Sequence, residues 1–535
     1  MSGNSKKELD NAVALFTKAM KNVSKSSSTK DETPKSISLS ETKPSKQRTS
    51  SSMKKSIFRK KVATRKIGKF VNKTAKFLKL ICANSGECVS FGKKMDEITA
   101  FFNGYTHFDF VVGSIRPIGV ASKNGFVKEI QYNKDGYDSY AILKSSMRKD
   151  SDNLVYEYIV GTQFINHNLR KFPCFVQTYS HYFYKEDRYW NNMLQNAELK
   201  TKALVNGLEL QPSINWEKAC SQSKYAAILI QHIHSAETLN SHITDSNITP
   251  FAQNDLLYVL FIIYHALSKL SANFTHYDLH SSNVLLYEPY KGKYIQYYYH
   301  LIDGTTIEFR CPFIPKIIDY GRSFFDNGST SSQKIYDKMI LTRECQPGNG
   351  IDMGFQWFQP SDKYFIISQK KNASHDLRLL VTIKYQLDKY TGPPPTNAYK
   401  EISELLTTVQ YGVGINTKFD YYDIQRNLDI IIKKYKERFS VEEITLNMKK
   451  ITTKAKDQAS IEALNRKNYG TKEDMNLYRS GRIVNVIGAY LRLKSSVLKP
   501  TVKTENYSIY SDESMKFADF HIYEDGRPME FFPMK

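Results

Sequence analysis

Cysteine is scarce in this sequence. Only six of its 535 residues are cysteine, and no two of them form a C-x-x-C pair. This scatter argues against a zinc site and against a disulfide scaffold, so we expect reduced, partly buried thiols. The six residues are Cys82, Cys88, Cys174, Cys220, Cys311 and Cys345.

Long apolar runs are also lacking. The most apolar run covers residues 256–267. A membrane-spanning helix needs about 20 apolar residues, so this run is too short to cross a bilayer and predicts a core helix instead. No signal peptide opens the sequence. We therefore expect an intracellular protein without a transmembrane segment.

Acidic residues are rare at the start of the chain. Residues 1–80 contain 21 Lys and Arg but only five Asp and Glu, whereas the rest contains 55 basic and 49 acidic residues. Most of the formal net charge of +22 therefore belongs to a tail. Residues 1–53 are rich in Ser, Thr, Lys and Pro, and they are predicted to be disordered because they cannot bury enough apolar surface.

Residues 54–106 are predicted to be a basic amphipathic segment followed by a linker. No acidic residue interrupts the basic ones between Lys54 and Lys79, and apolar residues recur among them at helical spacing. Such a helix can bind nucleic acid, an anionic membrane or an acidic partner, or it can pack on the neighbouring domain by its apolar stripe. The sequence leaves these alternatives open for residues 1–80.

One loop carries residues that phosphoryl transfer requires. Its sequence is HYDLHSSN, residues 276–283, and an apolar run follows. Phosphoryl transfer needs a carboxylate that accepts the proton of the attacking hydroxyl, and an oxygen ligand for Mg²⁺. Asp278 and Asn283 can supply both from this loop. Without further evidence, a helix-to-strand turn capped by Asp and Asn explains the same pattern.

A second motif follows downstream. The apolar residues 315–318 predict a strand, and Asp319-Tyr320-Gly321 ends it.

The two motifs together resemble those of the protein kinase superfamily. Residues 276–283 match the spacing of the H-R-D-L-x-x-x-N catalytic loop, and Asp319-Tyr320-Gly321 resembles D-F-G. The Lys/Asn/Tyr-rich texture and the degenerate motifs resemble the divergent kinases of large DNA viruses. The resemblance implies a two-lobed α+β fold, with a strand-rich N-lobe, a mainly helical C-lobe, and ATP and Mg²⁺ as cofactors. It also implies that Asp278 is the base and that Asn283 and Asp319 bind the metal.

Upstream residues resemble the nucleotide-binding half of a kinase. Lys144 ends a strand similar to V-A-I-K, so the resemblance implies that it pairs with the α- and β-phosphates. Glu157, flanked by apolar residues in 153–168, is the best candidate to hold this lysine. Gly119, Gly125 and Val127 stand where a glycine-rich loop covers the phosphates, although one residue is inserted and the middle glycine is missing. An ordinary β-hairpin would have the same pattern.

The resemblance also divides the chain. The kinase-like domain is predicted to cover residues 107–490, and 491–535 is a C-terminal extension. Within the domain we expect Asp376 to brace the catalytic loop, and Asp303 to be a turn residue rather than a metal ligand. The predicted parts are the N-lobe (107–233), the C-lobe (234–490), a surface insertion (185–224) and an extended hairpin (287–314). Further helices are predicted at 398–408, 422–438 and 441–466, and a short hairpin at 522–532.

Several departures from the kinase pattern affect the expected function. Tyr277 replaces the Arg of H-R-D, so a phosphorylated activation loop has no such arginine to dock on. His280 stands where Ser/Thr kinases usually carry a Lys that steadies the γ-phosphate. No A-P-E follows Asp319. The D-L-H-x-x-N pattern also occurs in relatives that phosphorylate small molecules.

Three functions therefore remain open. The first is an ATP-dependent protein kinase that acts on Ser/Thr hydroxyls of protein substrates and can phosphorylate its own tail. The second is a phosphotransferase that acts on a non-protein hydroxyl. The third is a catalytically silent interaction or packaging protein that is anchored by its basic tail. If the protein is viral, we expect it in the host cytoplasm or the virion.

Overall fold

The computed structural model divides the chain into two units, Met1–Gly68 and Lys69–Lys535, and all the residues described below belong to the second. The predicted disordered tail, most of the basic segment and the predicted helices at 422–438 and 441–466 lie outside the described residues. The structure describes residues 78–79, 82, 86–119, 121, 125–147, 153–215, 223–244, 248–341, 368, 371–373, 375–387, 396–408 and 485–534.

Helices and strands are both abundant, which confirms the predicted α+β class. The described helices of six or more residues are α1 (Lys94–Phe101), α2 (Asn153–Val160), α3 (Asp187–Gln195), α4 (Lys202–Gly207), α5 (Leu239–Thr244), α6 (Ile248–Asn254), α7 (Leu256–Leu270), α8 (Ser332–Leu341), α9 (Arg378–Leu387), α10 (Asn397–Thr408), α11 (Val486–Val497) and α12 (Pro500–Ile509). Helix α10 agrees with the prediction for 398–408.

A six-stranded sheet occupies the first part of the described chain. Its strand order is β1-β2-β3-β6-β4-β5, and every neighbouring pair is antiparallel. Buried and half-buried residues alternate along β2, as expected for a strand with one face on a core. The strands are β1 (Val111–Pro117), β2 (Gly125–Lys134), β3 (Tyr137–Ser146), β4 (Thr178–Tyr184), β5 (Leu208–Leu210) and β6 (Ala226–His232).

Residues 185–224 are not a simple surface insertion, contrary to our prediction. They contain α3, α4 and β5, and β5 completes the sheet as an edge strand. Trp190 and Leu204 are buried in the core on that side of the sheet, and the Trp190 indole N–H donates to the Ser146 carbonyl at 3.0 Å. The apolar residues are spread among polar ones, so composition alone hid the amphipathic helices.

Helix α7 is the centre of the second part. Thirteen of its 15 residues are buried, as expected for a helix that is apolar on all sides. Short strands beside it form two further sheets, one of order β12-β9-β7 and one of order β13-β8. These strands are β7 (Glu237–Thr238), β8 (Phe274–Thr275), β9 (Val284–Tyr287), β12 (Ile314–Ile317) and β13 (Phe324–Phe325).

A four-stranded sheet of order β11-β10-β14-β15 also lies among the described residues of the second part. Strands β10 and β11 fall within the predicted hairpin at 287–314, and Asp303-Gly304 lies between them. Strand β14 pairs with β10 in parallel and with β15 in antiparallel fashion. The strands are β10 (Tyr294–His300), β11 (Thr306–Cys311), β14 (Lys516–Tyr523) and β15 (Glu530–Pro533).

The predicted domain limits of 107 and 490 are both too narrow. The limit at 490 falls inside α11, and β14 beyond it belongs to the sheet just described. Before residue 107, Phe91 is buried, and its ring centroid lies 5.0 Å from that of Phe520 and 5.1 Å from that of Phe531. The two ends of the described chain therefore pack together, because each supplies aromatic residues that the other covers.

The cysteine prediction is also partly wrong. Cys82 and Cys88 form a disulfide, whereas Cys174 and Cys311 are buried free thiols. The prediction relied on the absence of a C-x-x-C pair, whereas these two cysteines are six residues apart. Within the described residues, no helix combines the length and apolarity needed to span a membrane.

Candidate active site

Lys144 lies between two carboxylates. It stands near the end of β3, and its Nζ is 2.6 Å from Glu157 Oε2 on α2 and 3.0 Å from Asp319 Oδ1 just after β12. The structure thus brings together three residues that are far apart in sequence. The Glu157 side chain is 3% exposed and the Asp319 side chain 43% exposed, so one carboxylate is buried and the other is accessible to solvent.

The environment of this cluster, Lys144–Glu157–Asp319, separates the pKa values of its two acids. The nearby Lys144 ammonium lowers the pKa of Asp319 to about 2. Burial raises the pKa of Glu157 to about 7, despite the attraction of Lys144. Burial alone would lower the pKa of Lys144, but Asp319 and Glu157 together raise it. Lys144 is therefore charged at neutral pH.

A close contact between helix and sheet fixes α2 and Glu157. Gly161 directly follows α2, and a Cβ there would lie 2.1 Å from Thr178 Oγ1 on β4. Only glycine lets the helix approach β4 so closely. The backbone N–H of Tyr320 also donates to the Glu157 carboxylate. These contacts hold Glu157 in place from two sides.

The loop with Asp278 is braced by a buried carboxylate, as predicted. Asp376 Oδ2 accepts from the backbone N–H of His276 at 2.8 Å, and its Oδ1 accepts from that of Tyr277 at 2.9 Å. Tyr277 is fully buried, adopts φ +66°, and packs its ring 4.9 Å from that of His375. The tyrosine therefore fills space in the core, and a phosphate has no access to it.

His276 connects this loop to the strand before Asp319. Its Nε2 lies 3.0 Å from the carbonyl of Ile318, and its Nδ1 accepts from the Asp278 N–H at 3.3 Å. Both contacts are satisfied if the neutral ring carries its proton on Nε2. Burial lowers the pKa of His276 to about 4, which agrees with a neutral ring at physiological pH.

Asn283 and Asp319 are brought together by paired strands. Val284, which follows Asn283, pairs with Ile317 in the β9–β12 ladder, and Ile318 N–H donates to the Asn283 carbonyl at 3.0 Å. The Asn283 side-chain amide donates to the Asp278 carbonyl at 2.9 Å, so its Oδ1 remains as an acceptor. An amide oxygen and a carboxylate are the hard ligands that Mg²⁺ prefers. The two residues therefore fit the predicted metal ion.

Asp319 has the left-handed backbone conformation, with φ +68°. This conformation is uncommon for residues other than glycine, and it is found at functional sites where neighbouring contacts enforce it. The rejected alternative, Asp303, lies exposed at the β10–β11 turn, where its Oδ1 accepts from the Thr305 N–H at 2.9 Å.

Two arginines that the sequence argument missed surround Asp278. Arg378 Nη1, on α9, is 2.7 Å from Asp278 Oδ1, and Arg322 Nε is 3.7 Å from Oδ2. His280 Nε2 is more distant at 4.0 Å, and burial lowers the pKa of this histidine. Arg322 directly follows Tyr320-Gly321, and Arg378 lies two residues after Asp376. In the sequence, the only indication that these arginines belong to the site is their position beside the two motifs.

The two glycines of the predicted phosphate-covering loop, Gly119 and Gly125, differ in the structural reason for a glycine at that position. Gly119, after β1, adopts φ +65°. A Cβ at Gly125 would lie 2.4 Å from the Ser145 carbonyl, so the β2–β3 pairing alone requires glycine there. Val127 pairs directly with Lys144 across β2 and β3. Residues 120 and 122–124, the middle of the loop, lie outside the described residues.

Comparisons with known proteins add little. The chain matches no protein-family model and no curated protein. It is similar to the crystal structure of a kinase domain at 12% sequence identity and a TM-score of 0.27, over 76% of this chain and 98% of that chain. A TM-score this low supports no conclusion, so the function has to be inferred from the side-chain geometry.

Proposed function

We propose that this chain is an ATP-dependent protein kinase that transfers the γ-phosphoryl group to Ser or Thr hydroxyls. The observation that carries the proposal is the Lys144–Glu157–Asp319 cluster and its hydrogen-bonded connection, through His276 and Ile318, to the loop of Asp278. A phosphate-binding cation, a metal ligand and a carboxylate base are the parts that phosphoryl transfer to a hydroxyl requires.

Each residue has a distinct role in this proposal. Lys144 binds the α- and β-phosphates of ATP, and Glu157 holds the lysine in position. Asn283 and Asp319 would hold Mg²⁺, which neutralises phosphate charge when bound. Asp278 orients the acceptor hydroxyl and takes its proton as the oxygen attacks the γ-phosphorus.

The set of residues present supports an active enzyme rather than a silent scaffold. A catalytically silent protein does not need the base, both metal ligands and the phosphate-binding lysine together. Here all four are present, and the lysine is already paired with a buried carboxylate. Held in this way, the lysine needs little reorganisation when it binds phosphates.

The test is phosphate transfer by purified full-length protein. It is incubated with γ-labelled ATP, Mg²⁺ and two sets of acceptors, namely unrelated proteins and small hydroxyl compounds. We expect label on Ser and Thr of proteins, including the chain itself, and at least a hundredfold slower labelling with Asp278→Asn. The matched control is Asp303→Asn, which changes an exposed turn aspartate in the same way and should retain activity.

Three results would contradict the proposal. Label only on small acceptors would identify a non-protein phosphotransferase. Mg²⁺-dependent ATP binding without any transfer would identify a silent scaffold. Equal transfer by wild type and folded Asp278→Asn would show that the base is misassigned.

A further inference from the structure

A cluster of two histidines and one glutamate lies away from the Lys144–Glu157–Asp319 cluster. His232 is the last residue of β6, His234 follows two positions later, and Glu129 is on β2. Glu129 Oε2 is 3.1 Å from His232 Nε2 and 2.6 Å from His234 Nδ1, and all three ligand atoms lie within 4.8 Å of one another. We propose that Glu129, His232 and His234 bind a divalent metal ion of the zinc type.

The donor set fits this class of metal. Two imidazole nitrogens and one carboxylate oxygen are a common ligand set for Zn²⁺, with the fourth position left to water or another ligand. Mg²⁺ and Ca²⁺ prefer oxygen ligands, so this site differs in kind from the Asn283–Asp319 pair.

The arrangement needs only a small adjustment to bind the ion. Bonds of about 2.0 Å in a tetrahedron place neighbouring ligand atoms roughly 3.3 Å apart. The distance from Glu129 Oε2 to His232 Nε2 is already 3.1 Å, and the distance to His234 Nδ1 must widen from 2.6 Å. His234 is 53% exposed, so its ring has room to move.

Neighbouring residues hold the ligands in place without the metal. The Glu87 carboxylate accepts from the backbone N–H of His234 at 2.9 Å and from the Ser235 hydroxyl at 2.5 Å. The ring of Tyr140 stacks on that of His234, with 4.5 Å between centroids and 16° between planes. Such surrounding contacts orient metal ligands and increase metal affinity.

A bound ion would link β2 to the segment after β6. On β6, His232 lies four residues beyond Ile228, which pairs with Lys144 on β3. The metal would therefore fasten one end of the strands whose other end carries the phosphate-binding lysine. The predicted effect is stabilisation of the fold by metal binding.

The experiment uses untagged full-length protein that has been stripped with a chelator and dialysed against Zn²⁺ alone. We expect one tightly held zinc per chain, a rise in melting temperature on zinc addition, and visible absorption bands when Co²⁺ replaces Zn²⁺. Zinc affinity should fall at least tenfold in Glu129→Gln and in His234→Phe. Phenylalanine preserves the stacking on Tyr140, and the position is half exposed, so this variant should fold.

The matched control is His242→Asn, because His242 lies 3.7 Å from the Glu237 carboxylate and is not part of the cluster. It should bind zinc as wild type does. If the stripped protein takes up no stoichiometric zinc, or if His234→Phe and His242→Asn bind zinc equally, the cluster is only a hydrogen-bonded His–Glu–His group and the proposal is wrong.

Discussion

The surroundings of Lys144 and of Asp278 have opposite charge patterns. Lys144 is one cation between two carboxylates, whereas Asp278 is one carboxylate between two guanidinium groups. At the first position, a metal ion and phosphates can compete for Asp319 and Lys144 when they bind. At the second position, the two arginines place positive charge directly beside the Asp278 carboxylate. Under the proposed function, the region of Lys144 would bind the nucleotide and the region of Asp278 would position the acceptor.

The largest effect should come from substitution of Asp319, the more exposed of the two acids in the Lys144–Glu157–Asp319 cluster. Asp319→Ala removes the only charged ligand of the proposed metal pair, so Mg²⁺-dependent nucleotide binding and phosphate transfer should fall below detection. The measurement is titration with a fluorescent ATP analogue, with and without Mg²⁺. Asp303→Ala is the control and should bind normally. If Asp303→Ala abolishes binding and Asp319→Ala does not, the metal ligand lies on the hairpin.

Substitution of Asp278 should have the next largest effect, and it should act on turnover rather than on nucleotide binding. Asp278→Asn keeps the size of the side chain but removes the base and its charge, so kcat should fall about 10²–10⁴-fold. ATP affinity should change little, because this residue acts on the acceptor. Steady-state kinetics together with ATP titration would separate the two effects. A large loss of ATP affinity would mean that Asp278 also contributes to nucleotide binding, contrary to the proposal.

The ion pair of Lys144 and Glu157 should behave as one unit. Lys144→Met and Glu157→Gln should each reduce kcat/KM by about one to two orders of magnitude. The double variant should lose little more than the worse single one, because both changes remove the same interaction. Kinetics of the three variants give the coupling energy directly. Simple additivity of the losses would indicate that another acid positions the lysine.

The pH dependence should distinguish the two acids of the Lys144–Glu157–Asp319 cluster. The pKa of Glu157 is raised to about 7, so its carboxylate is lost as the pH falls through this value, whereas Asp319, with a pKa of about 2, stays ionised. We expect kcat/KM to drop up to tenfold per unit below pH 7. Asp376, whose pKa burial also raises to about 7, titrates in the same range, so Glu157→Gln should weaken the acid limb without removing it. An acid limb unchanged in Glu157→Gln would contradict the assignment.

Motif spacing was sufficient to identify Asp278 and Asn283 because their geometry is local. Asp278 and Asn283 share one loop, and the sequence predicted both without knowledge of the fold. Arg378 is 100 residues from Asp278, and only the packing of α9 against the loop brings them together. Spacing carries no information about such a contact, so the basic surroundings of the proposed base could not be predicted.

Long-range pairing also explains the errors in the domain limits. Strand β14 pairs with β10 across more than 200 residues, and Phe91 packs against Phe520 across more than 400. The sequence predicted a short hairpin at 522–532, but it did not predict the pairing of β14 with β10, because many strands offer similar edges. The same reason hid the Glu129, His232 and His234 cluster, whose members lie on separate strands.

Substitution of Arg378 should reduce kcat less than substitution of the acids but more than substitution of Arg322. Its contact with Asp278 is 2.7 Å, with the side chain 17% exposed. Arg378→Lys preserves the charge but loses the planar donor geometry, so kcat should fall about tenfold while ATP affinity is unchanged. Rescue is part of the test, since Arg378→Lys should retain more activity than Arg378→Ala at equal stability. Equal losses in the two variants would mean that the positive charge alone contributes nothing to kcat.

Substitution of Arg322 should have the smallest effect on kcat. It should also distinguish most clearly between a direct contact and a longer-range electrostatic attraction. Its Nε is 3.7 Å from Asp278 and its side chain is 34% exposed, so the interaction is a screened attraction rather than a short hydrogen bond. Arg322→Ala should therefore reduce kcat only a few-fold at low salt, and the difference from wild type should shrink as salt is added. The loss in Arg378→Ala should persist in salt because that pair is short and largely buried. Kinetics of both variants at low and moderate ionic strength test this directly. A salt-independent loss in Arg322→Ala would show that Arg322 touches the substrate or the transferred group itself, and the acceptor region would then have two contacting arginines instead of one.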